Sequence, residues 1–490
     1  MSELIAVLIT VSAIGLLFFL SREPEARVSP ALWLAVLWLL IGSTRNISEW
    51  LQATPPADAV GRYMDGNPVD RAILTLLMAL AGAVLLSRWR RVGKVLRSNL
   101  PVLVYFAFCG LSALWSIYPA VSGKRWLRAL GDLLMVLIIA TDKSGVAAVQ
   151  QALQRVAVLV LPVSVLLIRY FPDLGIDYAP DGTRFARGVA GGKNGLGALC
   201  LIFGLAALWQ LLKAWRSQRG RIRTRKVVAY TILLGTAIYL LYISDSKTSL
   251  ACFVLVGTLL VLMLATRVAE NRRLLGICVV GVIASCAAVL FLGFGSGALE
   301  AMGRDPTLTG RTEVWKLVLQ FAANPFVGAG YESFWMGKRL VDITAINGGI
   351  NQAHNGYIEI YLNLGWAGLG ILLTILVSSL FSAVSHLRAR DDLAALGIAY
   401  MTIAVIFNFT EAAFKMMSPV WILLLLSIVV LRSRAGMQVT VRQKALMAEK
   451  CRGSYPLGSG AGWVSPHFQA PSPTGTGKPR PSPARIGTAF

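Results

Sequence analysis

The sequence has 490 residues, of which 56% are hydrophobic and only 14% are charged, and its formal net charge is +23. Its mean hydropathy of +0.64 excludes an ordinary soluble globular protein, in which charged and polar residues make up a larger share. The six cysteines show no spacing typical of a disulfide framework or a metal site. The composition therefore predicts an integral membrane protein.

Apolar runs recur along the chain, and most are long enough to cross about 30 Å of hydrocarbon as a helix. They fall near residues 4–20, 29–43, 71–87, 99–118, 125–141, 152–169, 194–212, 227–243, 248–266, 274–292, 364–384, 393–411 and 419–431. The second and the last are short, and either could be tilted or merge with a neighbour. The predicted fold class is an all-α polytopic membrane protein with about 12 or 13 transmembrane helices.

The basic residues indicate which loops face the cytoplasm. The loops at 88–97 and 213–226 are rich in Lys and Arg, which places them on the cytoplasmic side by the positive-inside rule. This choice puts two further basic loops and the basic C-terminus on the same side. The opposite side receives the nearly neutral loops 44–70, 170–193, 244–247 and 293–363. The positive charge is thus explained without nucleic-acid binding.

The chain is predicted to have two parts of different composition. Residues 1–431 form the transmembrane domain, which includes the loop at 170–193 and a large helical loop at 293–363 between late helices. Residues 432–490 are basic and rich in Pro and Gly, which is typical of a disordered tail. The tail is predicted to be cytoplasmic.

Several cations lie at span ends on the side opposite the cytoplasm. They are Arg184, Arg187 and Lys193 before the span at 194, Lys247 before the span at 248, and Arg311 and His354 in the large loop. A glycine-rich helix start such as Gly-Gly-Lys-Asn-Gly also leaves backbone N–H groups free to face an anion. We expect no compensating acids at these cations and see no paired carboxylates suited to a metal. The pattern predicts an anionic ligand such as a lipid-linked phosphate or pyrophosphate.

Each of these residues also has a structural interpretation. The alternatives are interfacial placement of Arg187, pairing of Lys247 with Asp245 or capping of the preceding helix, pairing of Arg311 with Glu313, and helix capping by His354–Asn355. The sequence leaves these alternatives open. Convergence of four separate segments on one side favours a shared ligand.

Five segments occur in a fixed order between Leu111 and Trp366. They are LSALWSIYPAVSGKR, RFARGVAGGKNGLG, SDSKTSL, GRTEVW with NPFVGAGYESFW, and HNGYIEIYLNLGWAGL. In this order they resemble the O-antigen ligase/polymerase superfamily of bacterial glycan enzymes, and most closely its exopolysaccharide-production polymerase branch. Many relatives in that branch carry His-Lys-Asn where this chain has Gly192-Lys193-Asn194, which leaves the branch and the acceptor open.

The resemblance implies a metal-independent, inverting glycosyltransferase of the bacterial inner membrane, with no cofactor and with its active site facing the periplasm. The donor would be a glycan on undecaprenyl pyrophosphate, and the acceptor a sugar hydroxyl of another glycan. By motif, Arg187 and Arg311 would bind the pyrophosphate and His354 would act as general base. Further predicted substrate-binding residues are Lys247, Lys193, Arg184, Asn355 and Tyr331.

Two alternative functions accompany this prediction. An O-antigen ligase would use the same donor and join the polysaccharide to the lipid A–core of lipopolysaccharide. A polysaccharide or lipid-linked-sugar transporter would also need many spans, but it would show an inverted repeat with broken helices, and the sequence shows no such pairs of interrupted spans. Membrane lipid and a chain-length regulator are the other candidate partners.

Overall fold

The computed structural model describes residues 3–23, 27–52, 66–178, 182–217, 219–265, 271–291, 311–347, 350–386 and 392–434. The chain separates into two units, Met1–Val439 and Thr440–Phe490. The second unit and most of the predicted tail lie outside the described residues, and so does the first part of the large loop, 293–310.

The first half of the chain is a series of helices connected by short segments. The elements are α1 (Glu3–Ser21), α2 (Leu32–Ser43), α3 (Ile47–Trp50), α4 (Pro68–Ser87), α5 (Trp89–Ser98), α6 (Leu100–Leu111) with a 3-10 turn at Ser112–Trp115, α7 (Pro119–Ala140), α8 (Gly145–Tyr170) and α9 (Pro172–Gly175). An antiparallel pair of short strands follows, β1 (Ile176–Tyr178) and β2 (Arg184–Ala186).

The second half of the chain is again helical. The elements are α10 (Lys193–Ser217), α11 (Gly220–Ile243), α12 (Lys247–Ala265), α13 (Arg272–Phe291), α14 (Arg311–Gln320), α15 (Gly337–Asn347), α16 (Gly356–His386), α17 (Asp392–Phe407) and α18 (419–434). Each predicted apolar span coincides with one of these helices or with most of it.

The helices confirm the all-α polytopic fold class. Among the described helices, seven are long and apolar enough to cross a membrane, and α5 with α6 would add an eighth as a span bent by 91°. This number is below the predicted 12 or 13 because α2, α17 and the apolar part of α13 (Arg273–Ala288) are shorter. In addition, α7 carries charged residues along half its length, namely Lys124, Arg125, Arg128 and Asp132.

The centre of the bundle is α10. In its apolar stretch 72% of the residues are buried, compared with 17% in that of α1. α10 packs against α8, α11 and α12, and α12 packs against α17. The outer helices expose large apolar side chains, such as Leu8 and Tyr242, which suits contact with lipid. This arrangement is that of a multi-pass membrane protein.

A smaller apolar cluster organises the described part of the large loop. Its buried members include Val318, Phe334, Trp335, Ile343 and Leu362. The turn at 324–330 is fixed on α16, because the N–H of Ala329 donates to Leu362 (3.0 Å) and that of Gly330 to Asn363 (2.8 Å). The loop is therefore attached to the helix that begins next to His354.

A kink in α16 receives this turn. Gly365 breaks the helix with φ of +63°. Gly328, with φ of +68°, lies so close that a Cβ there would be 2.4 Å from the Asn363 backbone. Both positions need glycine, for left-handed backbone and for close approach.

Candidate active site

The segment 408–418, between α17 and α18, carries the residue on which the site converges. α17 ends at Phe407 rather than near residue 411, so Glu411 lies outside the helix. Its Oε1 accepts hydrogen bonds from Arg311 Nη2 (3.0 Å) and Asn194 Nδ2 (2.9 Å). Its Oε2 lies 3.7 Å from His354 Nδ1. One carboxylate thus joins three distant parts of the chain.

The surroundings of Glu411 favour its ionised form. Burial raises the pKa of this carboxyl, but its contacts with His354 and the charge of Arg311 outweigh burial and leave the pKa below its ordinary value. The Glu411 side chain is 12% exposed and that of Arg311 is 21% exposed. The pair is therefore a partly buried ion pair.

His354 is held in an unusual backbone conformation beside this pair. Its φ is +50°, which costs energy for a residue other than glycine and is found at functional sites. Nδ1 is buried and has no hydrogen bond within the described residues, while about a third of the side chain (34%) is exposed. The separation of 3.7 Å from Glu411 is longer than a hydrogen bond. Nδ1 therefore faces the carboxylate and part of the ring remains accessible.

A second, half-buried carboxylate fixes the turn before His354. Glu359 Oε1 accepts a hydrogen bond from the N–H of Ala353 (2.6 Å), and its carboxylate also accepts from Trp335 Nε1 (2.9 and 3.1 Å). Trp335 belongs to the apolar cluster of the large loop. The position of His354 is thus coupled to the packing of that loop.

Asn355 caps α16. Its Oδ1 accepts hydrogen bonds from the N–H groups of Tyr357 (3.0 Å) and Ile358 (3.1 Å), as an N-cap residue does. Its Nδ2 donates to the carbonyl of Phe409 (3.1 Å). Asn355, predicted to bind substrate, is used here to connect α16 to the 408–418 segment.

Arg311 has a different partner from the one that its local sequence suggests. Besides Glu411, its guanidinium donates to the carbonyl of Thr410. The hydroxyl of Thr410 in turn donates to Thr248, on the first turn of α12 (3.3 Å). The segments that contain Lys193, Lys247, Arg311 and His354 therefore all reach 408–411.

Arg187 lies in a separate network. It pairs with Asp177 (2.9 Å) and donates to the carbonyls of Leu174 (3.2 Å) and Asp173 (3.3 Å). These bonds attach it to α9 and β1 rather than to Glu411. The side chain is 21% exposed, so it holds its own loop and still meets solvent.

Arg45 adds a cation next to Arg187. Its Nη2 donates to the carbonyl of Gly188 (3.1 Å), and its guanidinium stacks on the Trp50 ring at 4.2 Å. Burial and the neighbouring Arg187 guanidinium lower the pKa of Arg45. Arg45 was not predicted from the sequence, because it lies two residues after α2 and belongs to no motif.

The remaining predicted residues occupy varied positions. Lys247 pairs with Asp245 (2.9 Å) and is 44% exposed. Lys193 and Arg184 are exposed, at the start of α10 and on β2, while Tyr331 is buried. The expectation that the cations lack acidic partners is wrong, because carboxylates lie within 3.0 Å of Arg187, Lys247 and Arg311.

A cavity of about 320 Å³ opens beside the segment 408–418. It is lined by residues that include Tyr331, Glu332, Trp335, Asn351, Gln352 and Lys415. Burial raises the pKa of Glu332, and the charges of Arg125 and Lys415 oppose this only in part. The cavity thus combines aromatic side chains with carboxyl and amide groups.

Glu411 and Asn194 were not among the residues predicted from the sequence. Glu411 stood at the end of the predicted span 393–411, and an acidic residue in a span is itself a signal of function. Asn194 lies next to Lys193 in the Gly-Gly-Lys-Asn-Gly segment, and the prediction for that segment rested on the charge of the lysine.

Comparison with known proteins agrees with the motifs. Residues 232–373 match the family model described as O-Antigen ligase. Over 318 residues the chain is 28% identical to the exopolysaccharide production protein ExoQ of Rhizobium meliloti (strain 1021), which covers 62% of this chain and 69% of that protein. The resemblance predicted from the motifs is confirmed: residues 232–373 match the O-antigen ligase model, and the chain is similar to an exopolysaccharide production protein.

Proposed function

We propose that this protein is a glycosyltransferase that polymerises an exported polysaccharide. It would transfer a glycan from undecaprenyl pyrophosphate to a sugar hydroxyl at the periplasmic face of the bacterial inner membrane. The observation that carries the proposal is the arrangement of His354 against Glu411, which is held by Arg311 and Asn194. The O-antigen ligase match supports glycan transfer, and the similarity to an exopolysaccharide production protein favours a polymerase.

His354 would act as the general base. A carboxylate facing Nδ1 favours the tautomer that carries its proton there, which leaves Nε2 free to accept one. Nε2 would take the proton of the acceptor hydroxyl while that oxygen attacks the anomeric carbon. Glu411 would then stabilise the imidazolium, as the carboxylate does in other histidine–acid pairs. Such contacts are often long in the absence of substrate and shorten when it binds.

The arginines would stabilise the leaving group. When the bond from the anomeric carbon to the phosphate oxygen breaks, its electron pair remains on the pyrophosphate, and the negative charge there increases. Fixed guanidinium groups stabilise this charge more in the transition state than in the ground state. Arg187 with Arg45, and Arg311 next to His354, are the proposed groups. Attack opposite the leaving group would invert the anomeric carbon.

The acceptor glycan would occupy the cavity beside Glu411. Sugars present C–H faces that pack on aromatic rings and hydroxyls that bond to carboxyl and amide groups. Tyr331 and Trp335 offer the former, while Glu332, Asn351 and Gln352 offer the latter. Gln352, two positions before His354, and Ala412, directly after Glu411, both line the cavity, so an acceptor bound there would lie next to both segments.

Ligation of O-antigen to lipid A–core is the second candidate. The family description, O-Antigen ligase, favours it directly. Polymerase and ligase would share the donor and the His354 chemistry and would differ in the acceptor. Analysis of extracellular polysaccharide and of lipopolysaccharide in one deletion strain separates them, because only the product that depends on this protein is lost.

The proposed reaction uses no metal ion, because cationic side chains would compensate the charge of the pyrophosphate. No group of three His, Cys, Asp or Glu residues that could hold a metal lies within the parts of the chain that the structure describes. Transfer in excess EDTA tests this part of the proposal. An unchanged rate is expected, and inhibition that added Mg²⁺ reverses would contradict it.

The proposal as a whole is tested by a His354→Ala strain. We expect the strain to insert the protein normally and to make no polymer. Glu313→Gln, an exposed change in α14, is the matched control and should make normal polymer. Normal polymer from the His354→Ala strain would refute the proposed function and is the result that a transporter role predicts.

A further inference from the structure

A second cavity, of about 720 Å³, lies at the opposite end of the bundle from His354. α7 runs between the two ends: Ser122 in its first turn donates to Tyr331 of the large loop (2.7 Å), and Asp142 follows its last turn. With 22 residues, α7 separates them by about 33 Å. α8 likewise begins next to Asp142 and ends beside the Arg187 loop.

The described lining of this cavity is strongly basic. Its charged members are Arg27, Arg88, Arg90, Arg91, Lys143 and Asp142. The carboxylate of Asp142 is engaged, since it accepts hydrogen bonds from the N–H groups of Ser29 and Ser144 (both 3.1 Å). It also lies 4.0 Å from Arg88. Five cations thus surround one carboxylate that is already satisfied.

The cations differ in how firmly they are held. Arg88 donates to Ser29 Oγ (2.7 Å) and to the carbonyl of Ile138 (3.2 Å), so it forms part of the wall. Arg90, Lys143 and Arg27 are exposed at the rim. A cation held in the wall, with exposed cations beside it, suits the binding of a phosphate group.

The helix that carries Arg90 lies across the direction of the spans. α5 is bent by 91° from the helix that follows it, and it presents four basic residues within ten. Large apolar side chains at its two ends are exposed, namely Leu86 (74%), Trp89 (66%) and Leu100 (59%). A basic helix with exposed apolar ends that lies across a bundle is typical of the membrane interface.

We propose that this cavity binds the phosphate headgroup of an anionic membrane phospholipid. The cations would bind the phosphate, and the acyl chains would run along the exposed side chains of Leu86 and Trp89, next to the cavity. Basic pockets between membrane helices recognise anionic headgroups in this way. A soluble anion would use the cations alone, whereas a phospholipid also uses the adjacent apolar surface. The site is independent of the proposed glycan chemistry.

Native mass spectrometry of the purified full-length protein tests the proposal. Phosphatidylglycerol and phosphatidylcholine are supplied in equal amounts, and the bound fraction is compared. We expect wild type to retain phosphatidylglycerol, and Arg90→Gln/Lys143→Gln to retain at least tenfold less. The matched control is Lys94→Gln/Arg97→Gln, which removes the same charge from exposed positions of α5 outside the cavity lining. It should bind as wild type does.

Competition with inorganic phosphate distinguishes the two sources of the anion. We expect no displacement of phosphatidylglycerol by millimolar phosphate. Displacement would show a site for a soluble anion and overturn the lipid assignment. Equal loss in the cavity and control variants would show general surface attraction, and equal retention of both lipids would show no headgroup recognition. Thermal unfolding distinguishes lost lipid binding from misfolding. Phosphatidylglycerol should raise the unfolding temperature of the control variant and not that of the cavity variant.

Discussion

Replacing Glu411 with glutamine keeps the shape of the side chain and removes its charge. An amide oxygen in the Oε1 position can still accept the hydrogen bonds of Arg311 (3.0 Å) and Asn194 (2.9 Å). The amide NH₂ then takes the Oε2 position, 3.7 Å from His354 Nδ1. Because NH₂ is a donor, it favours an unprotonated Nδ1 and places the ring proton on Nε2. Nε2 of His354 then carries a proton and cannot accept the one from the acceptor hydroxyl.

The expected loss follows from the contacts that change. A hydrogen bond to a charged group contributes about 1.5–3 kcal/mol, and the contact of His354 with Glu411 would become one when substrate binds. Since about 1.4 kcal/mol corresponds to a factor of ten, the rate of glycan transfer by Glu411→Gln should fall about 10- to 100-fold. The stability loss should be smaller, because solvent screens the ion pair with Arg311, whose side chain is 21% exposed.

The difference in stability between wild type and Glu411→Gln should also depend on pH. Folding lowers the pKa of Glu411 from its ordinary value of 4.5. Its stabilisation is therefore fully present above pH 4.5 and is lost as the pH falls through the lowered value. The difference in unfolding temperature between wild type and Glu411→Gln should be largest near neutral pH and should shrink below pH 4.5.

Glycan transfer and thermal unfolding of the purified proteins measure both effects. The exposed Glu313→Gln makes the same chemical change in α14, only two positions from Arg311, and should leave the rate unchanged. A Glu411→Gln enzyme with the wild-type rate would refute the role of the carboxylate in directing His354. A gap in unfolding temperature that persists unchanged in acid would refute the ion-pair argument.

Three further tests concern other parts of the site. Gly356→Ala would place a Cβ 1.9 Å from the side chain of Asn408. It should therefore destabilise the protein by about 1–3 kcal/mol and reduce the rate of transfer, as measured by unfolding and rate assays. Gly370→Ala in the same helix has nothing within 4 Å of the added Cβ and should change neither the stability nor the rate. Glu332→Gln should become more stable relative to wild type as the pH rises above 4.5, because burial raises the pKa of Glu332 and its ionisation therefore costs stability at higher pH; a constant difference across pH would contradict this. Arg187→Ala should abolish transfer while Asp177→Asn, which frees Arg187 from its partner, should retain most of it; equal loss in both would mean that Arg187 only holds its loop.

The helices could be predicted because a long apolar run is a local property of the sequence. The ends of the helices could not, because tertiary contacts set them. Asn408 accepts hydrogen bonds from the N–H groups of Ala413 (2.8 Å) and Phe414 (3.0 Å), which turns the chain after α17. Glu411 therefore leaves the apolar run in which the sequence placed it.

In the site, too, contacts between neighbours in the sequence could be predicted and contacts between distant residues could not. Pairing of Lys247 with its neighbour Asp245 and capping of α16 by Asn355 were among the structural alternatives, and both are observed. The structural alternative for Arg311 was a pair with the nearby Glu313, but the observed partner is Glu411 on another segment. A contact between residues so far apart leaves no trace in a single sequence, whereas local pairs do.

The central claim is that His354, facing Glu411, is the base of a glycan transfer reaction. The most direct measurement is transfer by the purified protein from a synthetic undecaprenyl-pyrophosphate oligosaccharide to an acceptor oligosaccharide, with wild type and His354→Ala compared at equal protein. We predict longer glycans and released undecaprenyl pyrophosphate with wild type, and neither with His354→Ala. Chain extension by His354→Ala at the wild-type rate would contradict the claim.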